Sequence, residues 1–200
     1  MKIAVLASGS GTILESIVAS DVQVSLVVVD RPCRAEEVAA ASGVKVVQMY
    51  RSEWGSSFDR KSYSEGLSKV LVDEGIDLIA MAGFGTIVTE ELHRNFEGRI
   101  MNTHPSLLPS FPGWHAVEAA LTFGVMVTGC TVHLATVEVD AGPILAQRAV
   151  EVFEDDTAAT LHERIKEVER TLYPATIKLY NDFLDRGSIG QYRNYPKISK

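Results

Sequence analysis

Short apolar runs alternate with helix-length segments through the first half of the chain. The apolar runs predict strands over residues 2–7, 22–29, 44–48, 77–82 and 99–103. Segments of helical composition or spacing fall between them and predict helices over residues 13–19, 34–42, 59–74 and 89–96. This alternation predicts an α/β protein whose mostly parallel sheet is flanked by helices.

The pattern changes in the second half, where two long β-branched runs follow a helix predicted over residues 115–123. The two runs predict strands over residues 125–136 and 144–152, and the short connection between them should pair these strands antiparallel. A long C-terminal helix follows, kinked or interrupted at Pro174. Its core-facing stripe is predicted to consist of Leu161, Ile165, Val168, Leu172 and Leu179.

Composition restricts the class of protein. A chain of 200 residues that is 46% hydrophobic can bury a core, and we expect one domain over residues 1–200. The formal net charge of -7 argues against a protein that coats nucleic acid. No apolar run approaches the roughly 20 residues of a membrane span. Cys33 and Cys130 fit neither a disulfide framework nor a zinc site, so we expect free, buried thiols and a cytoplasmic protein.

The strand over residues 99–103 carries the first chemical signal. Pro105 ends it, because proline lacks the amide hydrogen that a strand ladder needs. Side chains alternate along a strand, so Asn102 and His104 should project to the same side. An amide N–H₂ there could stabilise an oxyanion, and an imidazole could carry a proton. The alternative is a surface histidine beside a proline-rich turn.

A second signal is the small-residue turn SGSGT, residues 8–12, which joins the first strand to the first helix. Such a turn offers backbone N–H groups and the positive end of a helix to an anion such as phosphate. The spacing matches neither G-x-G-x-x-G nor a Walker loop. An ordinary strand-to-helix turn remains equally open on these residues alone.

Longer motifs carry a resemblance. The chain contains NTHPSLLP at residues 102–109 and VDAGP at residues 139–143, in the order and separation found in the formyltransferase family that uses 10-formyltetrahydrofolate. Further matches are LASGSGT at residues 6–12, AGF at 82–84, VTGCTVH at 127–133, and Glu169 with Tyr173 and Pro174. The chain therefore resembles this family over nearly its whole length, and within it the branch that formylates glycinamide ribonucleotide in purine synthesis.

The resemblance implies a Rossmann-like sheet with two functional halves. Residues 1–100, approximately, would hold the nucleotide substrate, residues 101–185 the folate, and residues 186–200 would form a polar tail. Asn102 would stabilise the oxyanion and His104 would carry the proton. Asp140 would hold the imidazole and favour its charged form. The reaction so implied needs no metal.

The same resemblance implies two sets of binding residues. Glu169 could accept a hydrogen bond from the amine or ribose of the substrate. The residues at the substrate phosphate and glycinamide end would be Gly11, Thr12, Ile13, Lys166, Glu167, Val168 and Glu169. The residues that line the folate site would be Arg60, Gly85, Thr86, Ile87, Val88, Asn102, Thr136, Val137, Glu138, Val139 and Asp140.

Two positions depart from the family's usual residues, and two others are predicted to support the catalytic groups. The family often has Asn where this chain has Ile13, which leaves only backbone donors there, and Arg or Lys facing the folate where this chain has Thr86. Thr131 and His133 should lie on one face of their strand and support the catalytic groups. For His133, a hydrogen-bonded core histidine is an equal alternative.

Other members of the family are alternatives. Methionyl-tRNA formyltransferase has an additional C-terminal domain and a basic surface, and formyltetrahydrofolate hydrolase has an additional N-terminal domain, so neither is expected here. A sugar-nucleotide N-formyltransferase and a catalytically silent nucleotide-binding module stay open. We expect two small-molecule partners, glycinamide ribonucleotide and a reduced folate, no nucleic acid or membrane partner, and a monomer or homodimer.

Overall fold

The computed structural model describes residues 1–53, 55 and 57–188. Seven strands form one sheet in the order β3-β2-β1-β4-β5-β6-β7. The strands are Ile3–Ala7 (β1), Val24–Val29 (β2), Lys45–Gln48 (β3), Leu78–Ala82 (β4), Ile100–His104 (β5), Val127–Leu134 (β6) and Ile144–Glu151 (β7). The helices are Thr12–Val18 (α1), Arg34–Ala41 (α2), Arg60–Asp73 (α3), Glu90–Asn95 (α4), Ala116–Phe123 (α5) and Ala158–Phe183 (α6).

The chain divides into two compact units, the first of which is Met1–Met101. In this unit β1 pairs parallel with both β2 and β4, and β2 pairs parallel with β3. β1 and β4 are buried along their whole length, which agrees with their uninterrupted apolar sequences. The chain crosses from the edge strand β3 back to β4 beside β1, so the carboxyl ends of β1 and β4 lie at a topological switch point, where open α/β sheets bind ligands.

The second unit begins at Asn102 and contains the antiparallel pair β6 and β7. Gly129 faces Ala149 across this pair, and a Cβ at Gly129 would lie 2.1 Å from the Arg148 carbonyl oxygen. Glycine is therefore required there, because any side chain would collide with the neighbouring backbone. The helix α6 of 26 residues packs in the same unit and begins with a capping box at Thr157.

The predicted fold class, the antiparallel pair and the long helix are confirmed, and most predicted boundaries differ from the observed ones by one or two residues. Of the two effects predicted at Pro174, a kink or an interruption, the interruption is wrong, because α6 continues through that residue to Phe183. The predicted stripe is wrong at its end, since Leu179 is 47% exposed and the buried side chains there belong to Tyr173, Ile177 and Tyr180. Val168 is only half-buried.

Both cysteines are free thiols, as expected, but only Cys130 is buried. Cys33 is half-buried, because it caps the first turn of α2, where its amide donates to the Glu36 carboxylate. Among the described residues no group of His, Cys, Asp and Glu could hold a metal ion. No helix in the described ranges has both the length and the apolar character to cross a membrane. The predicted polar tail lies outside the described residues from residue 189 onward.

Candidate active site

Asn102, His104 and Asp140 lie in one cluster in the second unit, together with His133. The His104 Nδ1 lies 3.3 Å from the Asp140 Oδ2, and the Asp140 Oδ1 lies 3.5 Å from the His133 Nε2. The His133 Nε2 is in turn 3.3 Å from the Asn102 Nδ2. One carboxylate therefore faces two imidazoles, and one of these imidazoles contacts the amide.

Both ring nitrogens of His104 are engaged. The Nε2 lies 2.8 Å from the carbonyl oxygen of Phe111, and since a carbonyl can only accept, the Nε2 carries a proton. The Nδ1 faces the Asp140 carboxylate, so the carboxylate and the Phe111 carbonyl hold the ring from both sides.

Asp140 is positioned by a loop that only a glycine can complete. Asp140 has a φ of 56°, in the left-handed region that Asp tolerates better than most residues. Two residues later, a Cβ at Gly142 would lie 1.8 Å from the Leu134 carbonyl oxygen. The Leu134 amide donates to the Pro143 carbonyl at 2.9 Å, which fastens the end of the loop to β6. The D-x-G-P motif thus brings its carboxylate back beside β5 and β6.

The Asp140 carboxyl is ionised despite its burial. Burial raises its pKa, but hydrogen bonds from His133 and from the Gly113 amide, which is 2.8 Å away, act against that effect. The charges of His104 and His133 add to these bonds, and the net result is a pKa below the ordinary value. A carboxylate in this state can stabilise a charged imidazole through the pH range in which enzymes usually work.

His133 is buried and orients its neighbours. Its Nδ1 donates to the Leu134 carbonyl oxygen at 3.0 Å, which leaves Nε2 directed at Asn102 and Asp140. A neutral His133 accepts a hydrogen bond from the Asn102 amide, whereas a charged His133 donates one to Asp140. In either state the ring contacts and helps to position Asn102 or Asp140.

Thr131 and Gln147 hold the proline-rich loop after β5. The Thr131 hydroxyl donates to the Ser106 carbonyl at 2.7 Å and accepts from the Leu108 amide at 3.0 Å. Gln147 donates to the Leu108 carbonyl at 2.9 Å. Sequence reasoning missed Gln147, although it lies directly opposite Thr131 in the β6–β7 register. That register is the signal that could have identified it.

The four predicted binding residues on α6 point in different directions from the helix. Successive residues of a helix point about 100° apart, so Lys166, Glu167, Val168 and Glu169 cannot share one face. Glu167 is exposed. Burial raises the pKa of the Glu169 carboxyl. A hydrogen bond from Thr103 and the charges of Lys166 and Arg170 lower it by less, so the resulting pKa is about 7. Glu169 is therefore the member of the group with an environment typical of a functional carboxyl.

In the first unit, the turn predicted to bind phosphate has the expected backbone. Gly11 has a φ of 72° and leads into α1, while Thr12 and Ile13 are the first two residues of that helix. A Cβ at Gly11 would lie 3.1 Å from the Ala35 Cα, so a larger residue would be both strained and crowded. The Ile13 side chain is buried and has no hydrogen-bond donor, so only the backbone amide can donate at this position.

Arg34 is a further cation beside this turn that the sequence alone did not indicate. Its Nη1 donates to the Ser10 carbonyl oxygen at 2.7 Å, and its Nη2 pairs with the Glu15 carboxylate. The guanidinium therefore fixes the backbone of the turn from outside and adds positive charge near it. An arginine 24 residues away in sequence carries no local signal of this contact.

The predicted folate residues of the first unit are Arg60, which begins α3, and the four residues after the Gly83-Phe84 dipeptide that follows β4. Thr86, where the family commonly has Arg or Lys, is buried and donates to the Asp30 Oδ2 at 2.6 Å. Val88 is buried too, whereas Gly85 and Ile87 are half-buried. Backbone groups are thus what this segment offers to a ligand.

The predicted folate loop of the second unit is open to solvent. The side chains of Thr136, Val137, Glu138 and Val139 are exposed, and the Thr136 hydroxyl donates to the Glu138 carbonyl oxygen at 2.8 Å. Val137 and Val139 are 59% and 48% exposed, which is unusual for two valines so close in sequence. Such residues are available to cover an apolar surface of a ligand.

These features bring an amide, an imidazole and a carboxylate together in one cluster, a set of groups that enzymes use for oxyanion stabilisation and general acid–base catalysis. The chain belongs to the formyl transferase family, whose model matches residues 1–177.

Within that family, the chain is similar to phosphoribosylglycinamide formyltransferases. It is 42% identical to the one from Mycobacterium tuberculosis over 181 residues, which are 88% of this chain and 83% of the relative. It is 36% identical to the one from Bacillus subtilis, covering 93% of this chain and 97% of the relative. The solved structure of glycinamide ribonucleotide transformylase 1 from Symbiobacterium toebii superposes with a TM-score of 0.85 at 39% identity, over 91% of this chain and 88% of that one.

Proposed function

We propose that the protein transfers the formyl group of 10-formyltetrahydrofolate to the amine of glycinamide ribonucleotide, in purine synthesis. The products would be formylglycinamide ribonucleotide and tetrahydrofolate. The observation that carries this proposal is the cluster of Asn102, His104 and Asp140. His104 contacts Asp140 directly, and His133 joins Asp140 to Asn102, all within 3.5 Å. The similarity to phosphoribosylglycinamide formyltransferases supports the choice of acceptor.

In the first step, the substrate amine would attack the formyl carbon and form a new C–N bond. The carbonyl electron pair moves onto the oxygen, and this oxyanion needs hydrogen-bond donors. The Asn102 N–H₂ supplies one donor, because one of its two hydrogens can serve His133 while the other serves the substrate.

In the second step, the tetrahedral adduct would collapse and break the bond between the formyl carbon and N10 of the folate. A proton leaves the attacking nitrogen and one must arrive at N10, and His104 is the group placed to carry it. Its Nε2 hydrogen bond to the Phe111 carbonyl must be exchanged for a bond to the substrate during this step. Asp140 holds the ring by its other nitrogen throughout.

Binding would use further groups outside this cluster. The backbone amides of Gly11, Thr12 and Ile13 would receive the substrate phosphate. Glu169 would accept from the amine or ribose, and the loop that includes Val137 and Val139 would cover the folate. The proposed partners are these two small molecules, and the protein would act in the cytoplasm as a monomer or homodimer.

The test is an assay of the purified protein with 10-formyltetrahydrofolate and a choice of amine acceptors. We expect release of tetrahydrofolate with glycinamide ribonucleotide and none with a dTDP-amino-sugar. Formylation of the amino-sugar instead would make the protein a sugar-nucleotide N-formyltransferase. Tight binding of ligands without turnover of any acceptor would make it a silent nucleotide-binding module.

A further inference from the structure

The loop of residues 105–113 supplies two backbone groups to the candidate active site. The carbonyl oxygen of Phe111 accepts from the His104 Nε2 at 2.8 Å, and the Gly113 amide donates to the Asp140 Oδ2 at 2.8 Å. His104 and Asp140 face each other at 3.3 Å. A shift of this loop therefore moves hydrogen-bond partners of both side chains at once.

Side chains fasten this loop to the sheet. Three of its nine residues are prolines, which have no amide hydrogen to donate. The Thr131 hydroxyl on β6 donates to the Ser106 carbonyl at 2.7 Å and accepts from the Leu108 amide at 3.0 Å. Within the loop, the Ser106 hydroxyl donates to the Ser110 carbonyl at 2.5 Å. The loop is thus attached to β6 just before it reaches Phe111.

Gln147 on β7 completes this attachment. Its Nε2 lies 2.9 Å from the Leu108 carbonyl oxygen and 3.0 Å from the Thr131 hydroxyl oxygen. An amide nitrogen carries two hydrogens, so it can donate to both partners. The opposite orientation of the amide would place its oxygen against the Leu108 carbonyl, which cannot donate. Gln147 therefore acts as a double donor to the group that holds the loop.

The location of Gln147 makes its contribution measurable. The residue is exposed on β7, at the end of the sheet, so a substitution there opens no cavity in the core. We propose that Gln147 is a positioning residue for the formyl transfer, because by holding Leu108 it keeps the loop in contact with His104 and Asp140. This inference rests on the proposed function for the identity of the reaction.

Two substitutions remove the donor and keep the length of the side chain. Gln147→Met has neither a donor nor a charge, whereas Gln147→Glu places oxygens that only accept against the Leu108 carbonyl. Gln147→Met should lower kcat with glycinamide ribonucleotide about fivefold to fiftyfold, because the reacting groups would be misplaced and not missing. Gln147→Glu should lower it at least as much. The KM of each substrate should stay within about twofold, since Gln147 is outside the proposed binding residues.

The ring of His104 gives a readout that does not require turnover. NMR spectra of the histidine rings in the free protein, assigned with His104→Ala, should show changed His104 signals in both Gln147 variants. The signals of His93, on α4, should be unchanged. In kinetics, Gln147→Met combined with His104→Ala should lower the residual kcat by less than about twofold further, because the ring that Gln147 positions is already absent.

Gln48→Met is the matched control. Gln48 is an exposed glutamine at the end of β3, the strand at the other edge of the sheet, and it donates to the Glu36 carboxylate. This variant should change neither kcat nor the His104 signals. Thermal unfolding of each variant shows whether it is folded before it is compared.

The outcomes separate this inference from the proposed function. A wild type that does not formylate glycinamide ribonucleotide would reject the proposed function, and the histidine signals would still decide whether Gln147 positions His104. Unchanged His104 signals in folded Gln147→Met and Gln147→Glu would overturn the role of Gln147. An equal loss of kcat from Gln147→Met in the wild type and in His104→Ala would also overturn it, because the effect would then not act through His104.

Discussion

His104 and Asp140 have a chemical reason to act as one unit. The carbonyl of Phe111 accepts from the Nε2 of His104, and the Asp140 carboxylate lies 3.3 Å from the Nδ1. Removing the carboxylate would leave one side of the ring unsupported. The ring would then lose the position from which it carries a proton in the proposed reaction.

We predict that His104→Ala and Asp140→Asn each lower kcat with glycinamide ribonucleotide by at least about a hundredfold, the usual scale for a general acid–base group. The double variant should be little worse than the more damaging single one, because each change disables the same proton transfer. Steady-state kinetics with saturating folate measure the effect. His115→Asn is the matched control, since His115 is exposed and the substitution tolerates its left-handed backbone.

Rates that stay within a fewfold of the wild type in either variant would remove that residue from the mechanism. A loss in His115→Asn as large as that in His104→Ala would show that general disturbance of the loop after β5 explains the result. Comparing kcat with KM also separates chemistry from substrate binding. If the two residues act only in the transition state, neither substitution should alter the KM for the ribonucleotide substantially.

At the scale of elements, the loop between β6 and β7 shows how a backbone contact positions a side chain of the proposed site. The strands pair antiparallel from Val127 with Glu151 to His133 with Ile144, and the pairing is irregular next to His133. The loop then returns so closely that Gly142 touches the Leu134 carbonyl. Asp140 is two residues before this contact, so its position depends on it.

We predict that Gly142→Ala lowers kcat strongly while the protein remains folded, because the added methyl group must push the loop and Asp140 away from β6. The expected loss is about tenfold to a hundredfold, less than or equal to that of Asp140→Asn, in keeping with a misplaced rather than missing group. Steady-state kinetics and circular dichroism on the same preparation measure both parts of the prediction.

Gly66→Ala is the control for the effect of a glycine substitution. Gly66 lies inside α3, and a Cβ there would make only an ordinary contact of 3.5 Å with the Met49 side chain. Alanine favours helix over glycine by roughly 0.5–1 kcal/mol, so this variant should be as active as the wild type and slightly more stable. Full activity of Gly142→Ala would show that the loop accommodates a side chain and that Gly142 does not position Asp140.

At the scale of the whole molecule, the sequence predicts the order of strands and helices because each element carries its own periodic signal. The antiparallel pair was predictable from the short connection of residues 137–143, which leaves no room for a crossover helix. The unbroken course of α6 through Pro174 was not predictable from local sequence. Proline removes one backbone hydrogen bond, but the burial of Tyr173, Ile177 and Tyr180, which depends on tertiary packing, stabilises the helix there.

The candidate site likewise contains residues that the sequence predicts and residues whose contacts depend on tertiary structure. Asn102 and His104 share a strand, so local sequence was sufficient to nominate them. Asp140 was nominated by the resemblance of its short motif to the formyltransferase family. Gln147 and Arg34 could not be found in this way, because their contacts with Leu108 and Ser10 depend on strand register and on the packing of α2. The inward turn of Thr86 likewise depends on Asp30, which is 56 residues away in sequence.

A buried carboxyl also makes the stability of the whole chain depend on pH. The pKa of Glu169 is about 7, above the ordinary value of 4.5, so between these values the folded protein binds more protons than the unfolded chain. Stability should therefore fall as pH rises through this window, on the order of 1–3 kcal/mol from this group, and should not change further above it.

We predict that Glu169→Gln removes this part of the pH dependence, because the amide is neutral at every pH and can retain the contact with Thr103. Urea unfolding at pH 5 and pH 8 measures it: the difference in unfolding free energy between the two pH values should be smaller in Glu169→Gln than in the wild type. Glu167→Gln, an exposed neighbour on α6, should behave like the wild type. An equal pH dependence in Glu169→Gln and the wild type would mean that Glu169 is ionised in the folded protein at pH 5. It would then be a permanent anion, and not a group that gains its charge near neutral pH.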